Sequence, residues 1–351
     1  MIETWGFYLF PAHNPWERTA ISPESFQASF NAYLKLWCKC EEWGFDGLAF
    51  AEHHFNPISL SPSPHLLIAS LSGRTKRIKF AVMGSVLPLH DARRVAEEVG
   101  MLNYLTEGRF EPGIGPGAGV QEAVMSGLDA SVVRPRFYSG AELLGKALGG
   151  RKVTHQDQFN NLKDIEIVPP PHLRPGQSVW VTVVSAESAA WAGERGFKMC
   201  TAWTPTPVAA MVADRYRTAA AAAGRATDPS MLALRRRVIV ADTDAEAQEI
   251  YQTCRDLVLL GDGFETVDEN IKKMMMHPDD FAIGSPETVA ERLIAQCREG
   301  GYGVMLFLTD FAQLRPGALE RSHELIGTRV APKLRAADLS AKASSKVAVA
   351  S

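Results

Sequence analysis

Short runs of apolar residues alternate along this chain with longer segments in which apolar residues recur every three or four positions. The short runs predict strands, and several are apolar throughout, as expected for strands buried on both faces. The longer segments predict amphipathic helices, because that spacing places the apolar side chains on one face. The predicted strands are Trp5–Leu9, Gly47–Ala51, Ile78–Met83, Phe110–Gly113, Val179–Val184, Lys198–Ala202, Arg236–Val240 and Val304–Leu308. The predicted helices are Pro23–Trp43, Pro64–Ser72, Ala92–Leu105, Arg136–Leu148, Glu187–Arg195, Val208–Ala223, Ala245–Leu260, Pro286–Glu299 and Ala318–Leu334.

The alternation of strand and helix predicts an α/β fold with an all-parallel sheet. Eight such units in about 335 residues favour a closed (β/α)8 TIM barrel, although the pattern alone also permits an open, doubly wound sheet. We expect one domain over residues 1–336, with insertions at about 149–178 and 261–284. The second insertion is consistent with either a lid or a surface excursion. Residues 337–351 are rich in Ala, Ser and Lys, which predicts a disordered tail.

The composition narrows the class of protein. The chain has 351 residues, of which 46% are hydrophobic and 22% charged, with a formal net charge of -3. This balance does not favour binding to nucleic acid or to an anionic membrane. No apolar run reaches the roughly 18 residues of a membrane span, and the N-terminal segment does not resemble a signal peptide. Five scattered cysteines fit reduced thiols, so we expect a cytoplasmic protein.

The segment Ala51-Glu52-His53-His54-Phe55 begins where the second predicted strand ends. In a parallel barrel the carboxyl ends of the strands carry the chemistry. A histidine there can move a proton or donate a hydrogen bond to an oxygen anion, although a pair of buried structural histidines is an equal alternative. Glu52, His53, His54 and His65 match no common metal-ligand spacing, so no metal is predicted.

Two glycine-containing segments follow the next two strands. Met83-Gly84-Ser85 ends the third strand, where a glycine would let a flat ligand approach the backbone, or would simply form a turn. Gly113-Ile114-Gly115-Pro116-Gly117-Ala118-Gly119 predicts a flexible loop with exposed N–H groups, suited to a phosphate or a planar ring. It lacks the spacing of a dinucleotide fingerprint and the lysine of a P-loop.

Hydroxyl and guanidinium groups follow the fifth and fourth strands. Ser185 and Ser188 stand at a predicted helix start, where they would bind a phosphate together with free helix N–H groups, or would only cap the helix. Arg134 and Arg136 flank Pro135 just before another helix, and either would supply a cation for a phosphate or lie in solvent. In a barrel these groups, the glycines and the histidines form one arc suited to a phosphate-bearing planar cofactor.

A family resemblance rests on seven segments that occur in the expected order. They are Ala51-Glu52-His53-His54-Phe55, Val86-Leu87-Pro88, Ala96-Glu97-Glu98-Val99 with Leu102, Gly108-Arg109-Phe110, Gly113-Ile114-Gly115, Trp191-Ala192-Gly193-Glu194-Arg195-Gly196 and Gly284-Ser285-Pro286-Glu287-Thr288-Val289. From about residue 4 to 335 the chain resembles the bacterial luciferase-like flavin monooxygenases. Residues 108–119 and 284–334 are most similar to the diketocamphane-type Baeyer–Villiger monooxygenases of that family.

The resemblance implies a TIM barrel that binds reduced FMN supplied by a separate NAD(P)H:flavin reductase. It also implies that O2 reacts with the reduced flavin to give a peroxyflavin, which then oxygenates an organic substrate. It implies a catalytic His53, with His54 near the flavin. It also implies a cis Met83–Gly84 peptide under the flavin ring and contacts of Ser185 and Ser188 with the FMN phosphate. Together with the pattern at the strand ends, this predicts cofactor contacts from Ser85, from Gly113, Gly115 and Gly117, and from Arg136, with Arg134 as the alternative cation. A homodimer is expected on the same basis.

Two departures from luciferase itself limit what the resemblance implies. Luciferase has a cysteine–arginine pair after its Gly-Ile, where this chain has Gly115-Pro116, and a glutamate where this chain has Val184. Light emission is therefore not expected. The sequence predicts a monooxygenase acting on a small apolar organic substrate, with two alternatives: a deazaflavin-dependent hydride-transfer oxidoreductase of the same superfamily, and a catalytically silent flavin-binding protein.

Overall fold

The computed structural model describes residues 1–12, 22–56, 59–117, 120–150, 152–261, 273, 276–311 and 316–340. Within these residues the chain alternates between strands and helices for most of its length. The strands are β1 Glu3–Tyr8, β2 Gly47–Phe50, β3 Lys79–Val82, β4 Ser85–Val86, β5 Phe110–Glu111, β6 Gly113–Gly115, β7 Lys152–Gln156, β8 Asn161–Glu166, β9 Trp180–Thr182, β10 Lys198–Thr201, β11 Leu232–Val240, β12 Phe281–Gly284 and β13 Val304–Leu308.

The helices lie between these strands and begin where the sequence places capping residues. Ser22 and Ser285 each accept a hydrogen bond from a backbone N–H of the first turn, and a proline follows each. The helices are α1 Pro23–Trp43, α2 Pro64–Ser72, α3 Ala92–Leu105, α4 Val120–Met125, α5 Ala130–Gly149, α6 Ala186–Glu194, α7 Thr206–Ala222, α8 Asp244–Gly261, α9 Pro286–Gly300, α10 Pro316–Leu325 and α11 Ala331–Ala336, the last two joined by a π-helical segment, Ile326–Val330.

The main sheet is curled and parallel. Over the described residues it contains eleven strands, paired in the order β4-β6-β9-β10-β11-β13-β1-β2-β3-β5, with β12 paired to β11. β1 is paired with β2 on one side and with β13 on the other, so the first and last strands of the repeat are neighbours. The α/β class and the parallel sheet predicted from the sequence are confirmed.

The third and fourth predicted strands are each interrupted. β3 and β4 are separated by Met83–Gly84, whose peptide bond is cis, as the resemblance implies. β5 and β6 are separated by Pro112, which has no N–H to donate to a neighbouring strand. β3 pairs with β5, and β4 pairs with β6, which in turn pairs with β9. The two ends of the paired path, β4 and β5, therefore belong to neighbouring chain segments.

Alternation of side chains along the strands builds two apolar layers. Trp5 and Phe7 of β1 belong to an inner cluster that also contains Trp180 of β9. Tyr8 and Phe50 belong to a larger outer cluster between the sheet and the helices. The inner cluster fills the concave side of the sheet, so polar groups that serve a ligand are expected at the ends of the strands, beyond it.

Four sequence predictions need correction or completion. Gly113–Gly115 is strand β6 and not part of a flexible loop, because its residues pair with β4 and β9. Arg134 and Arg136 lie inside α5, which begins six residues before Arg136. The 149–178 insertion contains the antiparallel hairpin β7–β8, and the 261–284 insertion contains β12.

Parts of four predictions lie outside the described residues. These parts are Ala118 and Gly119 of the glycine run, residue 151 of the first insertion, residues 262–272, 274 and 275 of the second insertion, and residues 341–351 of the tail. Among the described residues, no helix is both long and apolar enough to cross a membrane.

Candidate active site

The predicted site residues lie at the carboxyl ends of consecutive strands of the main sheet. Phe50 is in register with Val82, so the histidines after β2 and the Met83–Gly84 peptide after β3 follow neighbouring strand ends. The pairing of β4 with β6, and of β6 with β9, continues the same row to the helix start after β9. The sheet therefore brings the four predicted segments into one arc.

His53 is held by a carboxylate from α4. Nδ1 of His53 lies 3.0 Å from Oε1 of Glu122, and the backbone N–H of His54 donates to the same oxygen at 3.3 Å. The side chains of His53 and Glu122 are 20% and 19% exposed, so the pair borders the solvent-accessible mouth. Because an ionised carboxylate only accepts hydrogen bonds, the shared proton sits on Nδ1, and in a neutral imidazole Nε2 of His53 is then the acceptor.

The side chain of His54 contacts a different carboxylate, Glu52, which is shared with His90. Its Nε2 lies 3.0 Å from Oε1 of Glu52, and Nε2 of His90 lies 2.6 Å from the same oxygen. Adjacent residues at a strand end diverge in this way because their side chains leave the backbone in opposite directions. The two histidines thus have separate carboxylate partners, Glu122 and Glu52.

The Glu52 carboxylate is almost fully buried, with 3% of the side chain exposed. Burial alone would raise its pKa, but the hydrogen bonds and charges of His54 and His90 outweigh this effect and lower the pKa. Burial alone would lower the pKa of His90, yet the Glu52 carboxylate raises it. Glu52 and His90 therefore behave as a partly buried ion pair.

The four residues considered as metal ligands do not form one cluster. His53 contacts Glu122, and Nδ1 of His65 lies 2.7 Å from Oε2 of Glu98 on α3. Glu52 and His54 do lie together, and with His90 they place three donor atoms within 4.8 Å of one another. The hydrogen bonds among these three account for their approach without an ion.

Another histidine–carboxylate pair, His65 and Glu98, lies next to the strand end that carries the cis peptide. The hydrogen bond from His65 is the main cause that lowers the pKa of Glu98 to about 2. Nε2 of His65 lies 3.5 Å from Oγ of Ser85, which is 1% exposed. Met83 is buried as well, whereas Gly84 between them is half-buried. The backbone at Gly84 is thus the accessible point of this strand end.

The glycines of the arc are required by strand packing. A Cβ on Gly84 would lie 2.6 Å from the backbone carbon of Ile114, and a Cβ on Gly113 would lie 1.9 Å from the carbonyl oxygen of Val82. A Cβ on Gly115 would lie 3.0 Å from Oγ1 of Thr182. Gly117 has a φ of 95°, which favours glycine. The first three glycines therefore allow adjacent strands to approach one another closely.

Arg136 faces the strand ends from α5. Its Nε donates to the carbonyl oxygen of Pro88 at 3.0 Å, and its guanidinium lies 5.8 Å from the ring centroid of Phe159 in the β7–β8 hairpin. These contacts place the cation next to the segment that follows β4.

Ser185 and Ser188 form a reciprocal capping box at the start of α6. Oγ of Ser185 accepts from the N–H of Ser188 at 3.2 Å, and Oγ of Ser188 accepts from the N–H of Ser185 at 3.3 Å. The capping interpretation of these serines is thus confirmed, and it leaves their hydroxyls exposed at a helix N-terminus. Such a terminus also suits an anion.

Ser185→Ala is expected to lower the free energy of unfolding by about 1 kcal/mol, because the N-cap hydrogen bond to Ser188 is lost. The midpoint and slope of urea denaturation measure this change. Ser63→Ala is the matched control, since Ser63 precedes α2 without a side-chain hydrogen bond to it. Equal effects of the two substitutions would contradict the capping role.

Three residues of the site were not predicted as functional from the sequence. Glu122 follows the glycine run, His90 follows Val86-Leu87-Pro88, and Glu98 lies in the middle of α3. Their signal in the sequence is only that they are titratable residues shortly after strand ends or on the following helix. The contacts that give them a role join segments 33 to 69 residues apart.

Comparison with known proteins gives the family. The model of the luciferase-like monooxygenase family matches residues 6–302. Uncharacterized protein y4wF of Sinorhizobium fredii (strain NBRC 101917 / NGR234) is 30% identical over 62% of this chain and 64% of its own length. The aligned part is thus slightly less than two thirds of that protein. The 2,5-diketocamphane 1,2-monooxygenase 2 of Pseudomonas putida is 28% identical over 70% of this chain and 69% of its own length.

A solved structure agrees with these matches. The oxygenating constituent of 3,6-diketocamphane monooxygenase from Pseudomonas putida, a type II Baeyer–Villiger monooxygenase in complex with FMN, superposes with a TM-score of 0.76. It is 25% identical, and the match covers 95% of this chain and 99% of that one. The two Pseudomonas putida relatives are monooxygenases, in agreement with the predicted enzyme class. The chain therefore belongs to the luciferase-like monooxygenase family.

Proposed function

We propose that the chain is the oxygenating component of a two-component monooxygenase that uses reduced FMN and O2. The observation that carries this proposal is the pair His53 and His54, which are held by separate carboxylates beside an accessible glycine backbone at neighbouring strand ends. A separate NAD(P)H:flavin reductase supplies the reduced FMN. When bound, FMN supplies the electrons that activate O2.

The residues of the arc fit FMN by their chemistry. Gly84, between the buried Met83 and Ser85, offers a flat accessible backbone for the ring system, and Gly113, Gly115 and Gly117 border it. The hydroxyls of Ser185 and Ser188 and the N-terminus of α6 suit the phosphate, and Arg136 supplies the cation.

His53 is the catalytic proton carrier, and His54 lies nearer the cofactor. With its Nδ1 proton donated to Glu122, His53 presents Nε2 as an acceptor that takes a proton from a bound group and returns it. Glu122 fixes the tautomer and the orientation of the ring. An inner cluster that contains Trp5, Phe7 and Met83 keeps water from the concave side of the sheet.

The fold supports a closed barrel as the frame of this site. If β3 and β4 count as one strand and β5 and β6 as another, the pairings connect eight strands in a ring, from β1 through β13 and back to β1. Residues 1–336 form one domain with the two insertions. We also propose that the protein is a homodimer and that it acts in the cytoplasm. The five free cysteines suit such a reducing compartment.

We propose that the small apolar organic substrate is a cyclic ketone. The similarity to two diketocamphane monooxygenases supports this class, as does the apolar inner cluster. Insertion of one oxygen atom of O2 beside the carbonyl would give a lactone, with the other atom leaving as water and reduced FMN supplying the two electrons.

An anaerobic titration tests the cofactor. Reduced FMN is expected to bind more tightly than reduced riboflavin, because riboflavin lacks the phosphate, and Ser188→Ala is expected to remove most of this difference. Tighter binding of a reduced deazaflavin would contradict the proposal and support the hydride-transfer alternative. The intact chain and photoreduced cofactors are used, so that the identity of the reductase does not affect the result.

Oxygenation is tested with ¹⁸O2, photoreduced FMN and a panel of cyclic ketones. We expect lactones that carry one ¹⁸O atom, detected by mass spectrometry. Binding of FMN without labelled product, and without O2 consumption beyond that of free reduced FMN, would support a catalytically silent flavin-binding protein.

A further inference from the structure

The positions of the protons around Glu52 follow from its two short contacts. Oε1 of Glu52 lies 3.0 Å from Nε2 of His54 and 2.6 Å from Nε2 of His90. An ionised carboxylate only accepts hydrogen bonds, so both Nε2 atoms carry a proton. His54 then has Nδ1 as its second ring nitrogen, and among the described residues its ring hydrogen bond is made by Nε2.

Only one of the two imidazoles needs to be a cation. The buried carboxylate carries one negative charge, and an uncompensated buried charge is costly. His90 is the better placed counter-ion, because its contact with Glu52 is the shorter one and its pKa is raised. If His90 carries the positive charge, His54 can remain neutral with an unprotonated Nδ1.

We propose that His90 is a positioning residue whose positive charge, acting through the Glu52 carboxylate, keeps Nδ1 of His54 unprotonated. The relevance of this acceptor to oxygenation rests on the proposed function, because His54 is placed near the cofactor. The arrangement of protons around Glu52 is expected in the protein without a bound cofactor. The three residues form one unit in which Glu52 transmits the charge of His90 to His54.

The charged groups around His90 favour its positive charge on balance. Glu52 is its closest charged neighbour, and Glu98 of α3 adds a second negative charge, while Arg94 of the same helix opposes them. His54 faces His90 across the carboxylate, with a ring separation of 6.2 Å. Since the pKa of His90 is raised, its charge persists to higher pH than that of a free imidazole and is lost as the pH rises through that pKa.

Nitrogen NMR of ¹⁵N-histidine-labelled full-length protein tests the proposal, because protonated and unprotonated ring nitrogens have well-separated shifts. His54→Asn assigns the His54 signals. At neutral pH we expect His54 with Nε2 protonated and Nδ1 unprotonated. In His90→Gln, which keeps a hydrogen-bond donor but removes the charge, we expect both nitrogens of His54 to be protonated, since His54 becomes the counter-ion of Glu52.

A double substitution separates this effect from damage to the fold. Glu52→Gln removes the charge that needs a counter-ion, so Glu52→Gln with His90→Gln is expected to restore an unprotonated ring nitrogen on His54. His172→Gln changes an exposed histidine and serves as the control. Unchanged His54 signals in His90→Gln would overturn the proposal. Tight binding of one equivalent of added Zn²⁺ that is lost in His90→Gln would also overturn the proposal, because a metal ion would be bound by the Nε2 atoms of both histidines.

Activity provides the second readout. In His90→Gln the fraction of reduced FMN that yields oxygenated product is expected to fall about tenfold, as for other residues that orient a functional histidine. If the His54 signals change in His90→Gln but the unsubstituted protein yields no oxygenated product, the positioning role of His90 is supported and the proposed function is contradicted. A normal product yield in His90→Gln, despite protonation of Nδ1, would overturn the functional part of this inference.

Discussion

His53→Ala is expected to lower the yield of oxygenated product about 100-fold, the effect of removing a residue that transfers protons. Binding of FMN is expected to persist, because the proposed phosphate contacts, Ser185 and Ser188, follow a different strand end from His53. The electrons of reduced FMN should then appear as hydrogen peroxide. Labelled lactone and peroxide, measured in the same reaction, give the ratio of productive to unproductive turnover.

Two further variants show what His53 contributes. Glu122→Gln keeps a side chain of similar size in contact with Nδ1 but weakens the choice of tautomer, so a smaller loss of product is expected. His172→Ala removes an exposed histidine outside the arc and is expected to leave the ratio unchanged. An unchanged product yield in His53→Ala would remove His53 from the mechanism and leave His54 as the candidate.

Gly113→Ala is expected to lower the free energy of unfolding by about 3 kcal/mol or more, at the upper end of the cost of overpacking. Its Cβ would lie 1.9 Å from the carbonyl oxygen of Val82 and 3.1 Å from Cβ of Trp180. Both neighbours belong to strands or strand ends beside β6, so relief requires the strands to separate. Urea denaturation followed by fluorescence and circular dichroism measures the change.

Gly145→Ala is the matched control for Gly113→Ala. Gly145 lies within α5, and a Cβ there would meet no atom within 4 Å. Alanine is favoured over glycine inside a helix by about 0.5–1 kcal/mol, so this variant is expected to be more stable. If Gly113→Ala does not fold, Gly115→Ala offers a milder test at 3.0 Å from Thr182 Oγ1. If Gly113→Ala and Gly115→Ala are both as stable as the wild type, glycine is not needed for packing at these positions.

Helix boundaries were predictable wherever local chemistry determines them. The predicted helices Pro23–Trp43, Pro64–Ser72 and Ala92–Leu105 agree with α1, α2 and α3 at both ends. A serine or aspartate before each first residue and the apolar spacing within each helix are local signals. The hairpin β7–β8 is not predicted from the sequence, because the alternation of exposed and buried residues in β7 spans only five residues within a segment whose length and prolines predict a long loop.

The glycine run shows a limit of local interpretation. Its alternate glycines predict flexibility, yet Gly113–Gly115 forms a strand that pairs with β4 on one side and with β9 on the other. The same absence of a side chain that permits a flexible loop also permits close contact between strands. Only the positions of Val82 and Thr182 decide between these two roles.

The sequence alone determined the α/β class, the order of the eight strands of the repeat and their helices, and the placement of histidines, glycines and serines at the ends of successive strands. These properties depend on local periodicity and on capping residues, which act over a few positions. The tertiary structure decided which carboxylate each histidine contacts: Glu122 for His53, and Glu52 with His90 for His54. These contacts depend on how distant segments meet, and a titratable side chain has no local pattern that reveals its partner.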